Sequence, residues 1–322
     1  MSDESTPAVH PPSPLLSWLR LMRLPNVFTA LADVTMGFAV SRQSLEPLGA
    51  FICIAAASAL LYTAGMVLND VFDVEIDRRE RPERPLPSGR IPFPLARAFG
   101  WLLLILGVAF AWLAGLAFAR EAALPWRSGA VGTVLAVLVV AYNAFLKRTP
   151  LGPIGMGACR FANVLLGLSL AQFVLPDSRL GYDTFQWLTA AGIGVYIVGV
   201  TWFARQEAES SRAWQLIAAM AVMSAGVAVL GVAGQYAELR LRAEFYWLLL
   251  ALLILTVLRR SLMAVVDPSP GRVQVAVKHA ILSIIWLDAA ICAATGPAGY
   301  YGFAIALLLV PALLLGRWVY ST

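Results

Sequence analysis

Charge is scarce in this 322-residue sequence: Asp, Glu, Lys and Arg make up 13% of it, about half the roughly 25% of an ordinary globular chain. With 60% hydrophobic residues and a mean hydropathy of +0.75, a soluble fold is excluded. Histidine is almost absent. Of two histidines, His10 lies in the polar start and His279 at the edge of an apolar run, so no histidine metal centre can be built. Three cysteines, Cys53, Cys159 and Cys292, are too scattered for a disulfide framework or a zinc spacing. They read as small apolar core residues. Residues 1–13 are polar and contain proline, and they lack the basic start and small-residue cleavage site of a signal peptide. A disordered cytoplasmic tail is expected there.

What the sequence has in quantity is long apolar runs. Pro47–Asn69, Ala98–Ala119, Ser128–Leu146, Thr184–Ala204 and Ala213–Ala237 are free of charge over 23, 22, 19, 21 and 25 residues. Each is long enough for the 20 or so residues that a bilayer crossing needs. Leu24–Ser41, with Asp33, and Leu151–Leu175, with Arg160, add two more, and Ala243–Leu258 adds a short one. Ala280–Gly316 is divided by Thr295-Gly296-Pro297, helix-ending chemistry, into a further two. The expectation is an all-α integral membrane protein in which residues 14–322 form one domain of about ten transmembrane helices. Placing both termini inside puts seventeen Lys and Arg residues in inner loops and six in outer loops, with Arg160 within a helix. That asymmetry fits a cytoplasmic membrane and cytoplasmic termini. The net charge of +5 is thus a mark of topology, not of nucleic-acid binding.

Six of the nineteen acidic residues fall between positions 70 and 83, at the end of the second run. Asp70, Asp73 and Asp77 are spaced i, i+3, i+7 and lie within about 60° of one another on a helix, with Asn69 beside them. Three carboxylates on one face next to hydrocarbon repel one another and call for a cation. Hard oxygen ligands suit Mg²⁺, which keeps several waters and is completed by substrate phosphates. A loop with five arginines and three prolines, Arg78 to Arg90, follows on the same side. Proline stiffens it, and arginine forks match phosphate oxygens. The segment 69–93 therefore reads as a diphosphate pocket. Arg160, inside an apolar helix, needs a cavity or a partner such as Asp33 or Asp288, with Asn163 on the same face.

The string Asn69-Asp70-x-x-Asp73-x-x-x-Asp77, followed by Arg81-Pro82-x-Arg84-Pro85-Leu86-Pro87-Ser88-Gly89, resembles the first signature of the UbiA-type intramembrane prenyltransferase superfamily. Arg23-x-x-Asn26, Tyr142-x-x-x-x-Lys147-Arg148 and Gly157-x-Cys159-Arg160-x-x-Asn163 resemble members of it too. The resemblance implies a helical bundle around a central cavity, with two aspartate-rich motifs at its cytoplasmic mouth. It further implies that Mg²⁺ binds the diphosphate of an isoprenoid donor, whose carbocation-like prenyl group alkylates a lipophilic acceptor within the membrane. On that basis Asp70, Asp73, Asp77, Lys147 and Arg160 are the expected catalytic residues. Asn26, Asn69, Arg81, Arg84, Tyr142, Arg148 and Asn163 are the expected diphosphate contacts. Asp33 and Tyr142 are the two candidates for a base toward the acceptor.

The sequence departs from the superfamily pattern at the second motif. Segment 202–212 reads Trp-Phe-Ala-Arg-Gln-Glu-Ala-Glu-Ser-Ser-Arg, without an aspartate. Glu207 and Glu209 are the expected metal ligands in its place, although two residues apart on a helix they point about 200° away from each other. An enzyme is the favoured reading. The alternative is an isoprenoid-binding or transport-associated membrane protein that has lost its second metal site.

Overall fold

The computed structural model describes residues 13–176, 178–205, 213–237, 243–267, 269–295 and 300–319. Within them every named element is helical: α1 (Pro14–Leu21), α2 (Val27–Arg42), α3 (Leu48–Glu80), α4 (Phe93–Leu113), α5 (Arg127–Ala144), α6 (Gly152–Leu168), α7 (Thr184–Arg205), α8 (Ala213–Ala233), α9 (Ala243–Val266), α10 (Pro270–Ala294), α11 (Tyr301–Leu307) and α12 (Leu309–Val319). Short helical turns precede α2, at Leu24–Asn26, and α6, at Leu146–Arg148.

Eight of these helices are long and apolar enough to cross a membrane, against about ten expected. The other two expected spans are present but shorter. Helix α6 has 17 residues, because Pro153 fixes its first turn and the chain leaves the helix after Leu168. The last apolar stretch is broken at Leu308 between α11 and α12. Pro311 is the cause, since it has no N–H for the carbonyl of Leu307, one turn back. Helix α9 runs longer than the sequence suggested, to Val266, and carries Arg259 and Arg260 on its exposed side.

The buried apolar residues form two clusters. One joins α2 through α6, and the other joins α2 and α6 to the helices from α7 onward. Helices α2 and α6 belong to both. Val34 and Phe38 face the first cluster and Ala32, Met36 and Ala39 the second, while Leu166 on α6 faces one way and Val164 and Leu168 the other. At their crossing the backbones touch: a Cβ on Gly37 would lie 2.8 Å from the nitrogen of Leu168, and one on Gly167 would lie 2.7 Å from the Cα of Val34. Small residues allow this approach, which replaces the hydrophobic drive missing between helices in lipid.

Helix α3 determines where the functional residues sit. Its 33 residues rise about 50 Å at 1.5 Å each, well beyond a hydrocarbon layer of about 30 Å. Asn69–Glu80 are therefore still helical where they leave the apolar layer, and the loop begins only at Arg81. Pro82 stops the helix by excluding the helical conformation at the residue before it.

Two of the arginines counted as outer-loop charges are buried instead. Arg42 gives hydrogen bonds to the carbonyls of Glu46 (2.7 Å) and Leu170 (2.8 Å) and to Glu121 Oε1 (2.7 Å). Arg127 donates to Ser169 O (2.7 Å) and Gly181 O and lies 4.2 Å from the ring of Tyr182. Both supply partners for carbonyls just past the end of α6, which otherwise have none in a buried place.

Candidate active site

Five ion pairs link the α3 carboxylates to four cations from three other parts of the chain. Asp70 Oδ1 is 3.5 Å from Arg23 and 3.7 Å from Arg84, and Asp77 Oδ2 is 2.8 Å from Arg84. Asp73 faces Lys147 at 2.7 Å and Arg148 at 3.2 Å. The proline-rich loop places Arg84 by folding back on itself, with Ser88 N bonded to Arg84 O, Ile91 N bonded to Pro85 O, and Leu86 and Ile91 buried beneath. Gly89, at φ 73°, closes that turn in a conformation open to glycine. Glu75 lies outside the cluster, paired at 2.6 Å with Arg78.

Lys147 also donates to Asn69 Oδ1 (3.1 Å) and to the Asn69 carbonyl (3.2 Å), and Asn69 Nδ2 reaches Asp70 at 3.5 Å. Burial pushes the Lys147 ammonium below the usual lysine range, with Asp73 acting against that shift. From α7, Arg205 bonds to the Lys147 carbonyl. Arg23 sits in the left-handed region at φ 46°, a backbone cost of about 1–2 kcal/mol for a residue other than glycine. Its side chain meets Asp70 on one side and a cavity on the other.

That cavity, of about 340 Å³, lies between the helices behind the mouth. Its walls are mainly aliphatic, including Leu61, Met66, Leu135, Val139, Ile197 and Val200. Asn26, Tyr62, Tyr142, Asn143, Cys159, Arg160 and Asn163 bring polar atoms to it. At the α2–α6 seam Arg160 Nη1 donates to Asp33 Oδ2 at 2.7 Å and Nη2 to Thr29 Oγ1 at 2.9 Å. Asn163 Nδ2 donates to Asp33 Oδ2 (2.8 Å) and to the Ala30 carbonyl (3.0 Å), while Ser58 donates to Asn163 Oδ1 (2.7 Å). Asp288 of α10 lies beside Asp33, wholly buried.

The residues expected from the sequence thus fall into two groups. Asn69, Asp70, Asp73, Asp77, Arg84, Lys147 and Arg148 meet at the mouth. Asn26, Tyr142, Arg160 and Asn163, expected at the diphosphate or the reacting centre, line the cavity behind it. Arg160 has its partner in Asp33, and the hydrogen-bonding capacity of the Asn163 amide nitrogen is spent within the seam. Arg81 is exposed at the end of α3, where its backbone N–H bonds to Asp77 O at 2.9 Å. Glu207 and Glu209 lie outside the described residues. Sequence reasoning missed Tyr62 and Asn143. The signal for Tyr62 was its register, i−7 from Asn69 and i−11 from Asp73, which puts it on the same stripe of α3.

Among the described residues no group of three or more His, Cys, Asp or Glu side chains converges on a metal position, each carboxylate being turned to a cation. The donor set nevertheless fits Mg²⁺: hard carboxylate oxygens at the edge of the apolar layer, needing only one or two ligands from the protein. Four cations surround three carboxylates, so the mouth carries an excess of positive charge suited to an anionic metal–diphosphate complex.

A charged mouth opening onto a mainly apolar cavity inside a bundle of apolar helices defines a multi-pass membrane protein. The sequence model of the UbiA prenyltransferase family matches residues 30–274, and the chain belongs to that family. Among curated relatives, a digeranylgeranylglyceryl phosphate synthase of Saccharolobus solfataricus is 36% identical over 135 residues, 42% of this chain and 44% of the relative. The chain spans about half the length of the curated relatives it matches. Among solved structures, a UbiA homologue from Aeropyrum pernix K1 aligns with a TM-score of 0.60 at 20% identity, over 87% of this chain and 98% of its own. A UbiA homologue from Archaeoglobus fulgidus bound to GPP and Mg²⁺ gives the same TM-score at 15% identity, over 90% and 99%.

Proposed function

We propose that this protein transfers a prenyl group, with Mg²⁺, from an isoprenyl diphosphate to a lipophilic acceptor within the membrane. The observation that carries this reading is the mouth of α3, where Asp70, Asp73 and Asp77 interleave with Arg23, Arg84, Lys147 and Arg148 beside an apolar cavity. Asp70, Asp73 and Asp77 would hold Mg²⁺, which supplies charge neutralisation on a departing diphosphate. Arg84, Lys147 and Arg148 would exchange their carboxylate contacts for diphosphate oxygens, with no new side chain required. The aliphatic walls exclude water from the ionised prenyl group, and the rings of Tyr62 and Tyr142 offer π faces to it.

The relatives support a finer reading, in which the acceptor is a glyceryl phosphate lipid. Relatives are named synthases of digeranylgeranylglyceryl phosphate, and a single prenyl transfer that ends on such a product starts from a glyceryl phosphate carrying one geranylgeranyl group. The positive-inside asymmetry supports a cell membrane with the mouth facing the cytoplasm.

The test uses purified protein in lipid nanodiscs with geranylgeranyl diphosphate, Mg²⁺ and geranylgeranylglyceryl phosphate. Metal-dependent formation of the doubly prenylated product, lost in Asp73→Ala, is the expected result. Metal-dependent binding of the donor without product or diphosphate release would leave a binding protein instead, and absence of donor binding would end the reading altogether.

A further inference from the structure

Tyr62 stands on α3 eight residues before Asp70, about 12 Å deeper along the helix, and is part of the cavity wall. Asn26, Arg23 and Arg160 line the same cavity as its ring and hydroxyl. Polar groups from three separate stretches of chain, the turn before α2, α3 and α6, therefore converge on one spot in a largely aliphatic chamber. Such convergence is what orients a ligand in an apolar pocket.

The neighbours divide into groups with spare capacity and groups without. The Asn163 amide gives its hydrogens to Asp33 and Ala30 and accepts from Ser58, so it is framework. Arg160 spends one hydrogen of Nη1 on Asp33 and one of Nη2 on Thr29. Each of those nitrogens carries a second hydrogen. The Tyr62 oxygen likewise has lone pairs for an incoming donor.

We propose that Tyr62, with Asn26 and Arg160, forms the acceptor subsite and takes an alcohol: the Tyr62 oxygen accepts a hydrogen bond from the acceptor's nucleophilic hydroxyl. The assignment rests on the prenyl-transfer reading above. In the transfer the donor's C–O bond breaks with its electron pair leaving on diphosphate. The acceptor oxygen bonds to the first prenyl carbon, and the acceptor's proton leaves with the diphosphate. Tyr62 keeps its own proton and acts only by holding the acceptor hydroxyl.

The near-isosteric Tyr62→Phe variant tests this in nanodiscs through two separate binding measurements. The first is the affinity for geranylgeranylglyceryl phosphate without donor or metal, and the second is the affinity for geranylgeranyl diphosphate with Mg²⁺. The expected result is a tenfold or greater loss of acceptor affinity, with donor affinity within twofold of wild type. In turnover the acceptor KM rises while the donor KM stays. Acceptor affinity within twofold of wild type overturns the assignment, as does an equal loss for donor and acceptor, which would mark Tyr62 as a packing residue. Tyr62→Trp, which fills the wall and keeps a polar hydrogen but offers no oxygen lone pair, must lose acceptor affinity as well. Because acceptor binding is read without catalysis, a wild type that binds both ligands and makes no product defeats the transferase reading and not the subsite.

Discussion

Arg160 and Asp33 illustrate how an ionised group persists inside the bundle. The Asp33 side chain is fully buried and that of Arg160 is 9% exposed, yet they meet at 2.7 Å, with Thr29 accepting a further hydrogen bond from Arg160 and Asn163 donating one to Asp33 Oδ2. A buried pair gives little net stability against apolar residues of the same size, but removing one member leaves a bare charge and costs about 3–5 kcal/mol. Asp33→Ala should therefore lower the apparent Tm in detergent by many degrees. Asp33→Ala combined with Arg160→Leu should recover most of the loss, because the guanidinium left without Asp33 is removed. A double variant no more stable than Asp33→Ala would show that the pair does not act as a unit. The mouth is graded instead: Asp70, Asp77 and Lys147 are as buried as Arg160, whereas the Arg148 side chain is 52% accessible. The exposed Arg148–Asp73 pair contributes little stability and is free to rearrange around a ligand.

Between helices the decisive contacts are those of glycine. A Cβ at Gly167 would lie 2.7 Å from the Val34 Cα, and backbone cannot move aside as a flexible side chain can. Gly167→Val should separate α2 from α6, disturb the Asp33–Arg160 seam and leave little monodisperse protein on size-exclusion chromatography. Gly271, exposed in the first turn of α10, has nothing within 4 Å of an added Cβ. There Gly271→Ala should raise stability slightly, by about 0.5–1 kcal/mol through helix propensity. Equal behaviour of the two variants in thermal unfolding would contradict the close crossing.

The same scale explains how much could be read in advance. Asp70, Asp73 and Asp77 and the loop after them were legible because helical spacing and proline chemistry are local. The partners of Arg160 were legible only as a pair of options, Asp33 or Asp288, since the choice depends on how α2, α6 and α10 pack. Arg42 and Arg127 were misplaced as outer-loop charges because a sequence count cannot tell an exposed arginine from one that satisfies carbonyls beyond a helix end. Asn163 was assigned to diphosphate for the same reason: its pairing with Ser58, 105 positions away, is tertiary. The second-motif glutamates Glu207 and Glu209 lie outside the described residues, so the correspondence stops at Arg205.

For the molecule as a whole, sidedness follows from how the two ends of the chain pack. Helix α12 contacts the Leu24–Asn26 turn and α1, and α1 contacts α3. The last helix therefore returns to the region of Arg23, where the mouth begins. An even number of crossings is needed for that return, so beside the eight long helices the short α6 and the broken α11–α12 pair cross together or not at all. Labelling with a membrane-impermeant maleimide checks this in a background with Cys53, Cys159 and Cys292 replaced by alanine. Ser88→Cys, in the exposed arginine loop, marks the mouth side, and Gln43→Cys, exposed after α2, marks the opposite side. Cysteines at Ser13 and Arg317 should both react in the vesicle orientation that exposes Ser88→Cys and be protected in the one that exposes Gln43→Cys. If Arg317→Cys instead follows Gln43→Cys, the number of crossings is odd and α11–α12 turns back within the membrane. The expected pattern puts both chain ends, the arginine loop and the cavity's mouth on one face, the arrangement that the proposed transfer from a membrane-held diphosphate donor requires.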